Sequence, residues 1–158
     1  MIIKPDYNLK NIYEITPEML MGMGVKAMFL DLDSTVMVSK SGKFLPETMD
    51  WFKKFEKDFY IAIVTNNKNP EYTKKAKEAV PFKVVECANK PNPKKVNELI
   101  DEISVKAEEV VMVGDRPLTD ILVGKLAGTK TILVGSINPK ENLATKIVRA
   151  IERSTIRR

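Results

Sequence analysis

Two aspartates one residue apart, Asp31 and Asp33, follow an apolar run over residues 25–30. Apolar runs of this length between polar residues are typical of buried strands, and the ligands of parallel sheets collect at the carboxyl ends of strands. Two such carboxylates repel each other, which favours a cation between them or a proton on one of them. Taken alone, the pair is better explained by a turn, because Asp and Ser side chains bond nearby backbone.

Further polar side chains follow the next predicted strands. Each has its own structural explanation as a turn, an N-cap or a solvated charge. In a parallel sheet, however, the carboxyl ends of all strands lie on one edge. The joint appearance of such residues after successive strands therefore favours one functional site at that edge. Besides Asp31 and Asp33, the residues concerned are Thr65, Asn66, Lys90, Asp115 and Asp120.

These residue types predict phosphoryl transfer. Phosphate monoesters hydrolyse extremely slowly without help, and a carboxylate nucleophile divides the reaction into two easier steps through an aspartyl-phosphate. Asp31 is the expected nucleophile. Asp33 is expected to protonate the leaving oxygen and then to accept a proton from the attacking water.

The same set offers ligands for a metal and for phosphate. Hard oxygen ligands favour Mg²⁺, which we expect Asp31, the backbone carbonyl of Asp33 and Asp115 to hold. Asp120 is expected to lie behind these metal ligands and to orient a metal-bound water or Lys90. We also expect the phosphoryl oxygens to be held by Thr65, the Asn66 backbone and Lys90.

The elements that must position these residues alternate along the chain. Strands are predicted over 25–31, 59–64, 82–86, 109–113 and 131–134, and helices over 17–23, 46–57, 70–79, 93–103, 117–127 and 139–153. This alternation favours a parallel, doubly wound α/β sheet. We expect one domain over residues 1–158, with an irregular lead-in over 1–24 and a C-terminal helix and basic tail over 139–158.

The motifs carry a resemblance to a known superfamily. Asp31-x-Asp33-x-Thr35, Thr65, Lys90 and Gly114-Asp115-x4-Asp120 resemble the four motifs of the haloacid dehalogenase (HAD) superfamily. The resemblance implies a Rossmann-like α/β fold with a five-stranded parallel sheet in the order 5-4-1-2-3, helices on both faces and no cap domain. It also implies Mg²⁺ and an aspartate nucleophile, and the second aspartate points to phosphatases rather than dehalogenases.

A narrower resemblance includes the lead-in. Residues 4–7 and 12–15, together with Thr65-Asn66-Asn67 and Lys90-Pro91, are similar to the YqeG-type phosphatases, which are related to the phosphatidylglycerophosphate phosphatases. The chain departs from that family at Ser34, where Asn is usual, and at Asn92-Pro93, where a Gly is common. Neither departure removes a catalytic group.

Composition excludes several other chemistries. The chain has no histidine, which excludes serine triads of the His type and His-bound zinc. Its one cysteine, Cys87, cannot form an internal disulfide, so that we expect a cytoplasmic protein. No apolar run is long enough to span a bilayer. The net charge of +5 suits anionic partners.

The expected function is a Mg²⁺-dependent phosphatase acting on a phosphorylated substrate. The intervals between Thr35, Thr65 and Lys90 leave no room for a lid domain, which suits a phosphate carried on something large, such as a lipid. A basic amphipathic helix over 139–153 could lie peripherally on anionic membrane or could pack on the core. Soluble phosphate esters and a silent scaffold remain alternatives, an oligomer remains open, and nucleic acid is not expected.

Overall fold

Six parallel strands form one sheet in the computed structural model of the chain, which describes residues 3–138, 151, 152 and 154. The strands are β1 (Tyr7–Leu9), β2 (Ala27–Leu30), β3 (Tyr60–Val64), β4 (Lys83–Val85), β5 (Val110–Gly114) and β6 (Lys130–Val134). Their order is β1-β6-β5-β2-β3-β4. The expected order of the five predicted strands is therefore confirmed, whereas the predicted number of five is wrong.

The additional strand, β1, lies in the segment that we expected to be irregular. It pairs in parallel with β6 at the edge of the sheet. The backbone N–H of Asp6 donates to the Thr131 carbonyl oxygen at 3.0 Å, and the Thr131 N–H donates to Asp6 Oδ2 at 2.7 Å. A strand of three residues has little local pattern, and β1 depends on a partner strand more than a hundred residues later in the chain.

The helices are α1 (Pro17–Gly22), α2 (Pro46–Lys53), α3 (Pro70–Ala79), α4 (Lys94–Ile103) and α5 (Leu122–Ala127). Proline opens the first three of them, as expected for a residue with fixed φ and no N–H. α2 ends at Lys53, earlier than predicted, and a π-helical turn over Pro117–Ile121 precedes α5. The C-terminal helix predicted over 139–153 falls largely outside the described residues.

Helices cover both faces of the sheet. Alternate residues along β2 belong to different cores: Met28 and Leu30 lie in a cluster with Trp51 and Phe52 of α2, whereas Phe29 lies in a cluster with residues of α4 and α5. This burial on both faces is the reason that the central strands are apolar at every position. Among the described helices, none is long and apolar enough to cross a membrane.

Candidate active site

Three neighbouring strands end at the same level of the sheet. Leu30 of β2 pairs with Ile63 of β3 and with Val113 of β5. The residues that follow these strands, Asp31, Thr65 and Asp115, therefore emerge side by side. The chain winds from β2 towards β4 in one direction and towards β6 in the other, and ligands of open α/β sheets bind at such a switch point.

Lys90 is the central cation of this edge. Its ammonium group donates to Asp31 Oδ1 at 2.9 Å, to Asp120 Oδ1 at 2.7 Å and to the Val64 carbonyl oxygen at 2.8 Å. The Lys90 side chain is only 2% exposed. Burial by itself lowers the pKa of Lys90, but the two carboxylates outweigh that effect and hold the pKa above its usual value. The group is therefore a fixed positive charge.

Three carboxylates converge beside this cation. One oxygen each from Asp31, Asp115 and Asp120 lies within 4.8 Å of the other two. The Thr35 hydroxyl lies 3.2 Å from Asp115 Oδ1 and 3.4 Å from Asp31 Oδ2, so that it bridges two of the three. Three carboxylates against one ammonium leave an excess of negative charge, and the donor atoms are all oxygen. This arrangement fits a hard metal cation.

Asp120 is as deeply buried as Asp115, each residue being 1% exposed. Its side chain is 1% exposed, and its Oδ2 accepts the backbone N–H of Arg116 at 3.1 Å. Burial, and to a smaller extent the charge of Asp31, raise the pKa of Asp120 to about 6 even though Lys90 opposes both effects. A Cβ atom at Gly114 would overlap the Asp120 carboxyl group, which explains why glycine precedes Asp115.

The Asp33 carboxylate stands apart from this cluster. The Tyr72 hydroxyl donates to Asp33 Oδ1 at 2.5 Å, and the Asn67 side-chain amide donates to Oδ2 at 3.4 Å. Ser34 follows with a φ of +70°, in the left-handed region that suits Asn or Gly better than Ser. The Asn138 amide donates to the Ser34 hydroxyl at 2.8 Å and helps to hold this turn.

The segment after β3 shapes the remaining wall. The Asn66 side chain accepts the Lys90 backbone N–H at 2.7 Å and donates to the Lys90 carbonyl oxygen at 3.0 Å. It thereby fixes the backbone of the residue that carries the central cation. Thr65 is buried, and its hydroxyl oxygen accepts the Asn67 N–H at 3.1 Å.

Comparison with known proteins identifies this arrangement. Residues 87–150 match the family of HAD-hydrolase-like proteins. The chain is 32% identical over 149 residues to the probable phosphatase YqeG of Bacillus subtilis, a match that covers 94% of this chain and 87% of the relative. The chain belongs to the HAD family, in its YqeG-type phosphatase branch. This relationship confirms that the chain is a phosphatase.

Solved structures confirm the HAD fold. An uncharacterized protein from Listeria monocytogenes superposes with a TM-score of 0.60 at 15% identity, covering 75% of this chain and 85% of the other. A HAD family enzyme from Bacteroides thetaiotaomicron, in complex with magnesium and inorganic phosphate, superposes with a TM-score of 0.53 at 12% identity, covering 77% and 98%.

The HAD-type site brings most of the predicted residues together. Asp31, Lys90, Asp115 and Asp120 are mutual neighbours, and Thr65 follows the adjacent strand. The sequence indicated Asn67 only as part of the Thr65-Asn66-Asn67 segment, and it predicted no site role for Thr35 or Tyr72. Thr35 had a signal, because it belongs to the first motif. Tyr72 had none, because it lies 39 residues from Asp33 on a helix whose pattern indicates only packing.

A second ion pair joins the rim of the HAD-type site to the C-terminal segment. Arg116, directly after Asp115, donates from Nε to Glu152 Oε2 at 3.0 Å, and its Nη2 lies 3.0 Å from the same oxygen. Glu152 is buried. Two large apolar side chains beside this pair in sequence, Leu118 and Ile151, are exposed.

Proposed function

We propose that this chain is a Mg²⁺-dependent phosphatase that hydrolyses a phosphate monoester through an aspartyl-phosphate on Asp31, acting as one catalytic domain over residues 1–158. The observation that carries the proposal is the setting of the Asp31 carboxylate. It is 13% exposed at the end of the central strand, and it lies between the ammonium of Lys90 and the hydroxyl of Thr35. A substrate would approach it from the side of the sheet at which the carboxyl ends of the strands lie.

Asp31, Asp115 and the backbone carbonyl of Asp33 would hold Mg²⁺, whose charge would reduce the repulsion between the Asp31 carboxylate and an anionic phosphate. The excess of carboxylates over cations in the cluster supports this assignment. The magnesium and phosphate in the Bacteroides thetaiotaomicron enzyme support it as well. Asp120 would act through Lys90, to which it is hydrogen bonded.

The proposed reaction has two steps. In the first, an Asp31 oxygen forms a bond to phosphorus while the bond to the leaving oxygen breaks, and Asp33 donates its proton to that oxygen. In the second, Asp33 accepts a proton from water as the water attacks the aspartyl-phosphate and releases phosphate.

The remaining site residues would bind the phosphoryl group. The Thr65 hydroxyl, the Asn66 backbone N–H and the Lys90 ammonium would offset the charge on the phosphoryl oxygens. Asn66 contributes in a second way, because its side chain fixes the backbone of Lys90.

Phosphate release tests the mechanism. The native protein should hydrolyse p-nitrophenyl phosphate with Mg²⁺, and EDTA should abolish the activity. Asp31→Asn should reduce the rate by at least about 10³-fold, because it removes the nucleophile. Asp50→Asn is the matched control, because Asp50 forms only an exposed pair with Lys53 on α2. Equal rates for native protein and Asp31→Asn would contradict the proposal.

The proposed substrate is a lipid phosphate, with phosphatidylglycerophosphate as the candidate. Between Thr35 and Lys90 the described chain contains α2, β3, α3 and β4 and no further domain to close over the site. Leu118 is 39% exposed two residues after Arg116, and Ile151 is 62% exposed next to Glu152. Apolar side chains beside a cation suit an anionic headgroup on a membrane surface, which would make the protein peripheral to the membrane.

A substrate comparison tests this finer proposal. Phosphate release should be faster from phosphatidylglycerophosphate in mixed micelles than from a panel of soluble phosphate esters at equal concentration. Leu118→Ser should slow the lipid reaction while it leaves p-nitrophenyl phosphate hydrolysis unchanged. Activity confined to the soluble esters would retain the mechanism and exclude the lipid.

A further inference from the structure

We propose that Tyr72 is a positioning residue that sets the orientation of the Asp33 carboxylate for proton transfer to the leaving group. The inference rests on the proposed function, in which Asp33 is the proton donor. Its basis is the hydrogen bond of 2.5 Å from the Tyr72 hydroxyl to Asp33 Oδ1, the shorter of the two side-chain contacts described for this carboxylate.

The fold places Tyr72 for this contact through a series of caps. The Asn67 side-chain oxygen accepts the Asn69 N–H at 2.8 Å, and the Asn69 side-chain oxygen caps α3 by accepting the N–H groups of Glu71 at 3.1 Å and Tyr72 at 3.5 Å. The start of α3 is thereby fixed relative to the segment after β3. Since Asn67 also donates to Asp33 Oδ2, one short segment and the helix after it hold both oxygens of the carboxylate.

The Tyr72 hydroxyl is itself well fixed. It is half-buried, and it lies 3.3 Å from Met37 Sδ. The hydroxyl therefore joins the loop after the first motif to the Asp33 carboxylate. A bond that served only to pack α3 would not need a polar group, because the Tyr72 ring already packs against the core on that face.

The Asp33 carboxylate also lies outside the cluster that could bind a cation. Among the described residues, the cluster of mutually close carboxylates contains Asp31, Asp115 and Asp120 but not Asp33. Both donors to the Asp33 carboxylate, Tyr72 and Asn67, are neutral side chains outside this cluster. The setting of Asp33 is therefore distinct from that of Asp31, two residues earlier.

The test is Tyr72→Phe, which retains the ring and removes only the hydroxyl. Two substrates report on proton donation: an alkyl phosphate, whose alkoxide must be protonated to leave, and p-nitrophenyl phosphate, whose leaving group is stable without a proton. Leaving-group release is measured in a single turnover with the protein in excess, because this signal precedes the second step, in which Asp33 acts as a base on either substrate. We expect the single-turnover rate for the alkyl phosphate to fall at least about ten-fold, and that for the aryl phosphate to fall less than about three-fold. Asp33→Asn should show the same selectivity more strongly.

Tyr60→Phe is the matched control, because Tyr60 begins β3 at the opposite end of the strand from the site. It should change neither rate. A second readout does not need activity. Tyr72→Phe and Asp33→Ala each remove the same contact, so the double variant should lose less melting temperature than the sum of the two single losses.

Three results would overturn the assignment. Equal slowing of both esters in Tyr72→Phe would make the hydroxyl merely structural, and additive losses in melting temperature would exclude the contact in solution. Hydrolysis of neither ester by the native protein would overturn the proposed function and this assignment together, and that result is distinct from the other two.

Discussion

Replacement of Lys90 by Met should cost this protein much more stability at neutral pH than the loss of a surface charge does. The substitution retains the unbranched stem and removes the ammonium that binds Asp31, Asp120 and the Val64 carbonyl oxygen at 2.9, 2.7 and 2.8 Å. Removing one partner from a buried ion pair typically costs about 3–5 kcal/mol, because the other charge stays buried without compensation. We expect a loss in this range at pH 8.

The loss should shrink at acid pH. The pKa of Asp120 is already raised to about 6, and without Lys90 it rises further, so that Asp120 is protonated at pH 5 and the buried negative charge is absent there. The Val64 carbonyl remains without the Lys90 hydrogen bond at either pH, which leaves a residual loss of about 1–3 kcal/mol.

Urea denaturation in EDTA at pH 8 and at pH 5 measures both quantities. EDTA is required because a bound divalent cation would replace the missing positive charge. Lys26→Met provides the matched control: Lys26 is 68% exposed in its pair with Glu109, and exposed pairs contribute about 0–1 kcal/mol. A loss below about 1 kcal/mol at pH 8, or an equal loss at both pH values, would refute this reasoning.

Four further outcomes are expected. Gly114→Ala should lower both stability and activity, because its Cβ would displace the Asp120 carboxyl group; circular dichroism melting and phosphate release measure this. In EDTA, the stabilisation from Asp120 should be complete below about pH 3.8 and lost as pH rises through about 6, since folding raises its pKa, and denaturation of Asp120→Asn should lack this fall. Saturating Mg²⁺ should raise the melting temperature of the native protein but not that of Asp115→Asn. Ser34→Asn should stabilise the fold by up to about 1 kcal/mol in urea, because Asn tolerates the φ of +70° better than Ser.

The fold was largely predictable because its signals are local. The buried strands are continuous apolar runs, proline opens three helices, and Gly128 ends α5 with a φ of +82°. These signals predicted five strands and the alternation with helices, and the resemblance to the HAD superfamily supplied the strand order. β1 was not predictable, because its stability comes from pairing with β6 rather than from its own three residues.

Some site residues could likewise be predicted from local sequence signals, and others could not. Residues directly after strands, such as Asp31 and Asp115, could be assigned from the sequence because strand ends converge on one edge. Tyr72 could not, because its contact with Asp33 depends on the length and capping of α3. The clash that keeps Gly114 a glycine was also invisible, since it depends on the fold of the π-helical turn that carries Asp120.

The pairing of β1 with β6 determines when this protein can complete its sheet. Tyr7 pairs with Ile132, so that β1 gains its hydrogen bonds only after β6, the last of the described strands, has been synthesised. Contacts this distant in sequence slow folding. Until they form, the outer edge of β6 presents unpaired N–H and carbonyl groups to other chains, which is a common route to aggregation. We therefore expect β1 to shield this edge once it has paired, and changes that disturb β1 should lower the soluble yield before they alter the chemistry.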